Sequence, residues 1–288
     1  MNPSESSRAI VLGGTKNMAF AIGTAVINWL STHHNPSSDS FIIFHDGMSL
    51  SDQRVLDSIA NVTFLTYDPS FLSPRIRKLR FIDYFSPMVF SKFECLSLLD
   101  TYSKVMWLDF DIYIRKDLSE LFHAGDSPFL SLPSGRPVSA SFTKPIPAYN
   151  MSVSGMSAGT FVLSRALGDF PAMHRFCEEQ TVRYADRLKM PEQGIFDIML
   201  QEFGIQPTFL NPETYALHPE AWNGTDAPSI LHCYGRRKFW SGVSFQPWQL
   251  NYEAWLAAGG SASPVKAHPW KSATRRIRRR IRQGRSNF

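Results

Sequence analysis

The chain has 288 residues, of which 43% are hydrophobic and 19% charged, and this composition is typical of a globular protein with one large or two small domains. No apolar run reaches the length of a membrane-spanning helix, so none is expected. The first residues lack the basic segment and apolar core of a secretion signal, and three cysteines are few and odd in number, which together predict a reduced cytoplasmic protein.

The net charge of +5 comes from one end of the chain. Residues 271–288 contain eight Lys and Arg and no acid, whereas the remainder has 22 basic and 25 acidic residues. A nucleic-acid-binding domain would carry its basic residues across a folded surface, so no specific nucleic-acid partner is expected. This asymmetry predicts one domain over residues 1–260, followed by a linker and basic tail over residues 261–288.

Short apolar strands alternate with helical patterns in the first part of the chain. Such alternation predicts an α/β fold with a mainly parallel sheet. Ligands of such sheets bind at the carboxyl ends of the strands, where Gly13, Asp46, Asp109 and Asp111 are expected to share one edge. The predicted strands are residues 9–14, 41–46, 62–67 and 105–108, and the predicted helices are residues 18–30, 51–59 with Ser51 near the N-cap, and 86–99.

The second part of the chain has a weaker pattern. Residues 133–157 are rich in Ser, Pro and Gly and predict a flexible loop over the site. Residues 159–164 and 229–235 are predicted strands, and residues 168–189 and 191–203 are predicted helices.

Asp109 and Asp111 interrupt an apolar stretch at alternate positions. Alternate side chains of a strand point to the same side, and an isolated buried carboxylate is costly. Two hard oxygen ligands at a strand end suit Mg²⁺ or Mn²⁺, with substrate phosphates completing the site. The alternative is structural: one Asp caps a turn while the other pairs with Lys104 or Lys116.

A second polar segment, HCYGRRKFW at residues 232–240, follows the last predicted strand. His232 is a candidate third metal ligand, and its nitrogen would favour Mn²⁺ over Mg²⁺; it could equally be a hydrogen-bonded core histidine. Gly235 would let the backbone approach a phosphate, and Lys238 would place a positive charge on a diphosphate.

Five segments together resemble glycosyltransferase family 8, the group of glycogenin and bacterial lipooligosaccharide galactosyltransferases. They are IVLGGTKNMAF, WLDFDIYIRKDLSELF, MSAGTFVLS, EQGIFDIML and HCYGRRKFW, and the resemblance extends from about Ala9 to Trp240. It implies a GT-A fold and a retaining transfer from a nucleotide sugar, usually uridine-linked, with Mn²⁺ or Mg²⁺ as cofactor.

The resemblance also implies roles for individual residues. Asp109, Asp111 and His232 would bind the metal, and Gln193 and Glu192 would lie at the reacting sugar carbon. The residues that would bind the donor are Gly13, Thr15, Asn17, Lys92, Asp109, Ser157, Ala158, Gly159, Gly235 and Lys238.

The chain departs from the family pattern where the base and sugar would bind. Thr15 stands where relatives often have Asp, and Met18 where a Tyr stacks on uracil. Ser157 replaces Asn, Gly194 follows Gln193 where relatives have a second Asp, and Phe239 replaces Pro. All the residues that would bind the metal and the diphosphate are present. The resemblance therefore predicts the class of reaction better than it predicts the identity of the donor.

The expected function is hexose transfer from UDP-galactose or UDP-glucose to a saccharide, either lipid-linked or a surface glycan. One alternative is a sugar nucleotidylyltransferase, because LGGTKN resembles a glycine-rich nucleotide loop, although no Arg follows Gly13 and Gly14. Another is a non-catalytic nucleotide-sugar-binding protein.

The basic tail predicts attachment to a membrane surface. Its sequence, WKSATRRIRRRIRQGRSNF, places Ile277 and Ile281 on one helical face among basic residues. Each basic residue near an anionic bilayer contributes about 1 kcal/mol of attraction, which predicts peripheral association with the cytoplasmic leaflet. The alternative is a tail that meets polyanions such as nucleic acid.

Overall fold

The computed structural model describes residues 7–34, 39–123 and 127–264. The basic tail lies outside the described residues, so its membrane attachment stays a prediction. In the described part of the chain, no helix combines the length and the apolar character needed to cross a bilayer.

A seven-stranded sheet forms the centre of the fold. Its strand order is β3-β2-β1-β4-β7-β6-β8, in which β1 to β4 are parallel to one another and β7 is antiparallel to both of its neighbours. β5 and β9 form a separate antiparallel pair. The strands are β1 Arg8–Gly14, β2 Ser40–His45, β3 Val62–Thr66, β4 Lys104–Leu108, β5 Ile112–Ile114, β6 Phe129–Pro137, β7 Ser154–Ser164, β8 Thr208–Phe209 and β9 Ile230–His232.

Helices cover both faces of the sheet, so β1 is buried along nearly its whole length, as expected for an apolar strand of a parallel sheet. The α-helices are α1 Ala19–Thr32, α2 Leu50–Ile59, α3 Arg80–Phe85, α4 Glu94–Ser97, α5 Ser119–His123, α6 Phe170–Tyr184, α7 Pro191–Glu202, α8 Pro212–Tyr215 and α9 Gln246–Ala257. The predicted α/β fold with a mainly parallel sheet is confirmed.

The last helix closes the domain against the first. Trp255 of α9 is fully buried, and its ring packs so closely on α1 that a Cβ at Gly23 would lie 2.2 Å from it. Ser261 follows the helix, accepts a 2.9 Å hydrogen bond from the Trp255 indole and donates a 2.8 Å bond to Asp52. Residues just beyond the predicted boundary at 260 are therefore bonded to the domain.

Several predicted elements differ in extent from those observed. The segment predicted as a flexible loop, residues 133–157, contains the end of β6 and the start of β7, with a 3-10 turn at Val138–Ser141 between them. Residues 86–99 form 3-10 helix at Pro87–Phe93 and only one turn of α-helix. Ser49 rather than Ser51 caps α2, because its hydroxyl accepts the Asp52 amide at 3.1 Å.

Candidate active site

The Asp109–Asp111 segment is the connection between two strands. β4 ends at Leu108 and β5 begins at Ile112. The two aspartates therefore flank a turn, and the prediction that they alternate within one strand is wrong. The Asp109 amide donates to the Gly159 carbonyl at 2.8 Å, and the Asp111 carbonyl accepts from Cys233 at 2.8 Å. These backbone bonds fix both carboxylates at the carboxyl end of β4.

β9 brings His232 to the same place. Ile112 of β5 pairs with His232, which puts the imidazole beside Asp111. Its Nε2 lies 3.2 Å from Asp111 Oδ1 and 3.9 Å from Asp109 Oδ2. One ligand atom from each of the three residues lies within 4.8 Å of the other two. Two carboxylate oxygens and one imidazole nitrogen in this arrangement fit a divalent cation, and the oxygens favour Mn²⁺ or Mg²⁺.

Opposite charges stabilise this buried cluster. Burial alone would raise the pKa of Asp111, but His232 and Lys238 together hold it well below its usual range. Burial disfavours the charged imidazole, yet the Asp111 and Asp109 carboxylates raise the pKa of His232. A divalent cation at this position would supply the positive charge that the imidazolium otherwise provides.

Lys238 lies within this cluster. Its Nζ atom is in contact with Asp111 Oδ2 and donates to the Cys233 carbonyl at 3.0 Å. The ammonium predicted to contact a diphosphate therefore already neutralises Asp111, one of the candidate metal ligands. Gly235 lies in an exposed turn with φ of +84°, a backbone conformation that glycine adopts without strain.

A buried lysine joins the candidate metal-binding cluster to α7. Lys92 Nζ lies 3.1 Å from Asp109 Oδ1 and 3.1 Å from Glu192 Oε1. Burial opposes the charge of this lysine, but the two carboxylates raise its pKa. Lys92 thus holds Glu192 beside the candidate metal ligand Asp109, although Lys92 and Glu192 are 100 positions apart in sequence.

β7 forms a wall of the same site. Ala158 and Gly159 are buried and Ser157 is half-buried. A Cβ atom at residue 159 would lie 2.6 Å from His232 Cε1 and 3.2 Å from Asp109 Oδ2. Glycine is required here because any side chain would enter the space between two of the candidate metal ligands.

The predicted catalytic residues begin α7. Pro191 occupies the first turn of the helix, and Glu192 and Gln193 follow it. Glu192 is 5% exposed, and its Oε2 atom has no hydrogen-bond partner among the described residues. The Gln193 amide donates to the Ser141 hydroxyl at 3.4 Å, leaving its carbonyl oxygen free to meet a substrate.

The predicted nucleotide loop follows β1. Gly13 is buried at the strand end, Thr15 is half-buried and Asn17 is exposed. The Lys16 amide donates to Asp46 Oδ1 at 2.5 Å, which ties the loop to the end of β2. The loop therefore lies at the carboxyl edge of the sheet, as predicted, together with Asp109.

Three residues that position the site were not predicted from the sequence. Trp107 donates its indole N–H to Asp109 Oδ1 at 2.8 Å, and its place two residues before Asp109 on the strand was the available signal. Ser141, which meets Gln193, and the carbonyl of Cys233, which meets Lys238, had no comparable signal.

The first part of the chain is similar in sequence to a known protein family. The sequence model described as glycosyl transferase family 8 matches residues 9–128, from β1 past Asp111. This match covers less than half of the chain, and it makes the segment that carries Asp109 and Asp111 similar to that family. His232 and Lys238 lie beyond the matched residues, and their arrangement around Asp111 comes from the structure. No curated protein matches the chain in sequence.

Solved glycosyltransferases share the fold of the chain. Galactosyltransferase LgtC, solved with donor and acceptor sugar analogues, is 15% identical with a TM-score of 0.64, over 87% of this chain and 99% of LgtC. The bifunctional glycosyltransferase WbbM is 15% identical with a TM-score of 0.63, over 90% of this chain and 52% of WbbM. GlyE of Streptococcus pneumoniae is 15% identical with a TM-score of 0.56, over 90% of this chain and 66% of GlyE. These likenesses confirm the predicted GT-A fold.

Proposed function

We propose that this protein is a glycosyltransferase that transfers a hexose from a nucleotide sugar, UDP-galactose or UDP-glucose, to a saccharide acceptor with retention of configuration, and that it needs a divalent cation. The observation that carries the proposal is the cluster of Asp109, Asp111 and His232 beside Lys238 at the carboxyl end of the sheet. In α/β sheets this edge is where ligands bind.

The cluster fits the leaving group of such a donor. A divalent cation bound there would supply Lewis-acid charge to the departing diphosphate. Lys238, after leaving Asp111, would add its positive charge to the same oxygens, and the exposed turn at Gly235 would offer backbone amides. These groups act most strongly as negative charge develops on the leaving diphosphate, which is when stabilisation increases the rate.

The geometry of α7 favours attack from the leaving-group face. Glu192 bonds Lys92 at 3.1 Å, so its carboxylate is neutralised and is a weak nucleophile, and Gln193 is a neutral amide. The acceptor oxygen would form its bond to the anomeric carbon as the bond to the diphosphate oxygen breaks. The acceptor proton passes to a phosphate oxygen, and the Gln193 carbonyl stabilises the positive charge that develops on the sugar.

The acceptor in this proposal is a lipid-linked or surface glycan. The support is the basic tail, whose charge would hold the enzyme on an anionic cytoplasmic leaflet beside such an acceptor. The enzyme is then a cytoplasmic protein associated peripherally with the inner face of the membrane.

The test is a panel of nucleotide sugars with Mn²⁺, measured first by thermal shift and then by nucleoside diphosphate release. We expect one uridine-linked hexose to stabilise the protein by mass action and to turn over. Proton NMR of the first product should show the anomeric configuration of the donor. A product of opposite configuration contradicts retention, and pyrophosphate release from a nucleoside triphosphate and a sugar phosphate would favour the nucleotidylyltransferase.

A further inference from the structure

A second group of metal-ligating side chains lies between α4 and α6. Glu94 is the first residue of α4, and His174 and Glu178 are four positions apart on α6, so they share one face of that helix. His174 Nε2 lies 3.1 Å from Glu94 Oε1. One ligand atom from each of the three residues lies within 4.8 Å of the other two. None of the three belongs to the active site described above.

The group brings two carboxylates together in a partly buried place. All three side chains are half-buried, where water screens charge less than at the surface. Like charges at this separation repel, and a single imidazole supplies at most one positive charge. A divalent cation would balance both carboxylates.

A buried hydroxyl belongs to the hydrophobic cluster that also contains Cys95, Met173 and Cys177, the chain neighbours of the three ligands. Tyr67 is 8% exposed, and its hydroxyl has no hydrogen-bond partner among the described residues. After burial, Glu94 and then Glu178 have the largest effects on this hydroxyl, and both raise the pKa of Tyr67. An unpaired buried hydroxyl is costly, and an ion with its bound water beside these carboxylates would give it a partner.

We propose that Glu94, His174 and Glu178 bind a divalent cation that joins α4 to α6. One imidazole and two carboxylates can bind Zn²⁺, with a water completing four ligands, so Zn²⁺ is the probe in the tests below. Lys92 precedes Glu94 by two residues, so the ion fixes the helical segment that carries the lysine bridging Asp109 and Glu192. This site is separate from the proposed catalytic metal and does not depend on the proposed function.

The test is calorimetric titration of Zn²⁺ into the full-length, tag-free chain carrying Asp111→Asn, which removes a ligand of the active-site cluster. We expect one remaining Zn²⁺ site. Adding Glu178→Gln should lower the Zn²⁺ affinity of this site at least about tenfold. Even the loss of a residue that only hydrogen-bonds to a metal ligand lowers metal affinity by that factor. Glu179→Gln is the matched control, since it removes the same charge from the exposed neighbouring residue and should leave the affinity unchanged.

Thermal unfolding provides a second readout. Zn²⁺ should raise the melting temperature of the Asp111→Asn chain and of its Glu179→Gln derivative, but not that of its Glu178→Gln derivative. If Asp111→Asn does not fold, Glu178→Gln alone should reduce by one the number of Zn²⁺ ions that the native chain binds. Equal Zn²⁺ affinity in the Glu178→Gln and Glu179→Gln chains would overturn the proposal, as would the absence of Zn²⁺ binding; either would mean that His174 and Glu94 form an ion pair without metal.

Discussion

The Nζ atom of Lys92 lies 3.1 Å from Oε1 of Glu192, and both residues are buried. The same ammonium lies 3.1 Å from Asp109 Oδ1. One positive charge therefore neutralises a carboxylate at the end of β4 and another on α7. Breaking a buried pair on one side leaves an uncompensated charge, which destabilises far more than losing a surface pair. Lys92 therefore has a structural role in addition to its predicted contact with the donor.

Replacing Lys92 with Met should lower the free energy of unfolding by about 3 kcal/mol, because Glu192 would then be buried without a cation. Urea denaturation at pH 7 measures this change. Adding Glu192→Gln to Lys92→Met should recover part of the loss, since the amide carries no charge. An unchanged midpoint in Lys92→Met would contradict the buried ion pair.

Asp197 of α7 should make stability depend on pH. Burial raises the pKa of this carboxyl from its ordinary value of 3.8 to about 8, although Oδ1 accepts the Met156 amide at 2.8 Å. Between those two values the folded protein holds a proton that the unfolded chain has released. The contribution of Asp197 is therefore complete below about pH 4 and is lost as pH rises towards about 8, by up to about 1.4 kcal/mol per unit.

Asp197→Asn removes this titration. Chemical denaturation at pH 5 and pH 8 should show a smaller fall in stability for the variant than for the native chain, and the variant should be the more stable at pH 8. Parallel pH dependence in the two proteins would show that Asp197 ionises in the folded state as freely as in the unfolded chain.

Gly159→Ala should impair turnover with little change in folding. Its Cβ would lie 2.6 Å from the His232 ring, which must then move away from Asp109. A displacement of about 1 Å in a catalytic arrangement can lower the rate about 100-fold. Steady-state kcat/KM with Mn²⁺ measures the effect. A kcat/KM equal to that of the native chain would contradict a role for His232 in the reaction.

Chain truncation tests the domain boundary. A chain ending at Pro264 keeps Ser261, which bonds both Trp255 and Asp52, whereas a chain ending at Gly260 loses both bonds. We expect the shorter chain to be less stable by about 2 kcal/mol, at roughly 1 kcal/mol for each bond. The longer one should retain native stability and turnover on a soluble acceptor but no longer sediment with anionic vesicles at low salt. Vesicle binding equal to that of the full chain would exclude the tail as the membrane anchor.

The sequence was most informative where local pattern and chemistry coincide. The apolar runs that end in Gly13, Asp46 and Asp109 predicted the strands and their common edge correctly, because burial on both faces leaves a continuous apolar signal. His232 was a candidate third ligand from its place after the last predicted strand, and the family resemblance then grouped it with the aspartates. No local pattern could have paired Lys92 with Glu192, since tertiary packing alone brings them together.

The missed elements had weak or misleading local signals. β6 ends in Ser, Pro and Gly residues that are usual in loops, yet pairing with β7 holds it extended. α9 was not predicted, although Trp248, Tyr252 and Trp255 recur at intervals of four and three residues after a Pro suited to a helix start. Its packing on α1 could be seen only in the folded chain.

The catalytic metal is tested most directly by the rate of nucleoside diphosphate release from the preferred uridine-linked hexose. This rate is measured with Mn²⁺ and with EDTA, in the native chain and in Asp111→Asn. We expect turnover with Mn²⁺, its loss in EDTA and its recovery on adding Mn²⁺ back, and no Mn²⁺-dependent turnover in the variant, whose unfolding midpoint is measured as a control. Full turnover by the native chain in EDTA, or native Mn²⁺-dependent turnover in Asp111→Asn, would contradict a catalytic metal held by Asp109, Asp111 and His232.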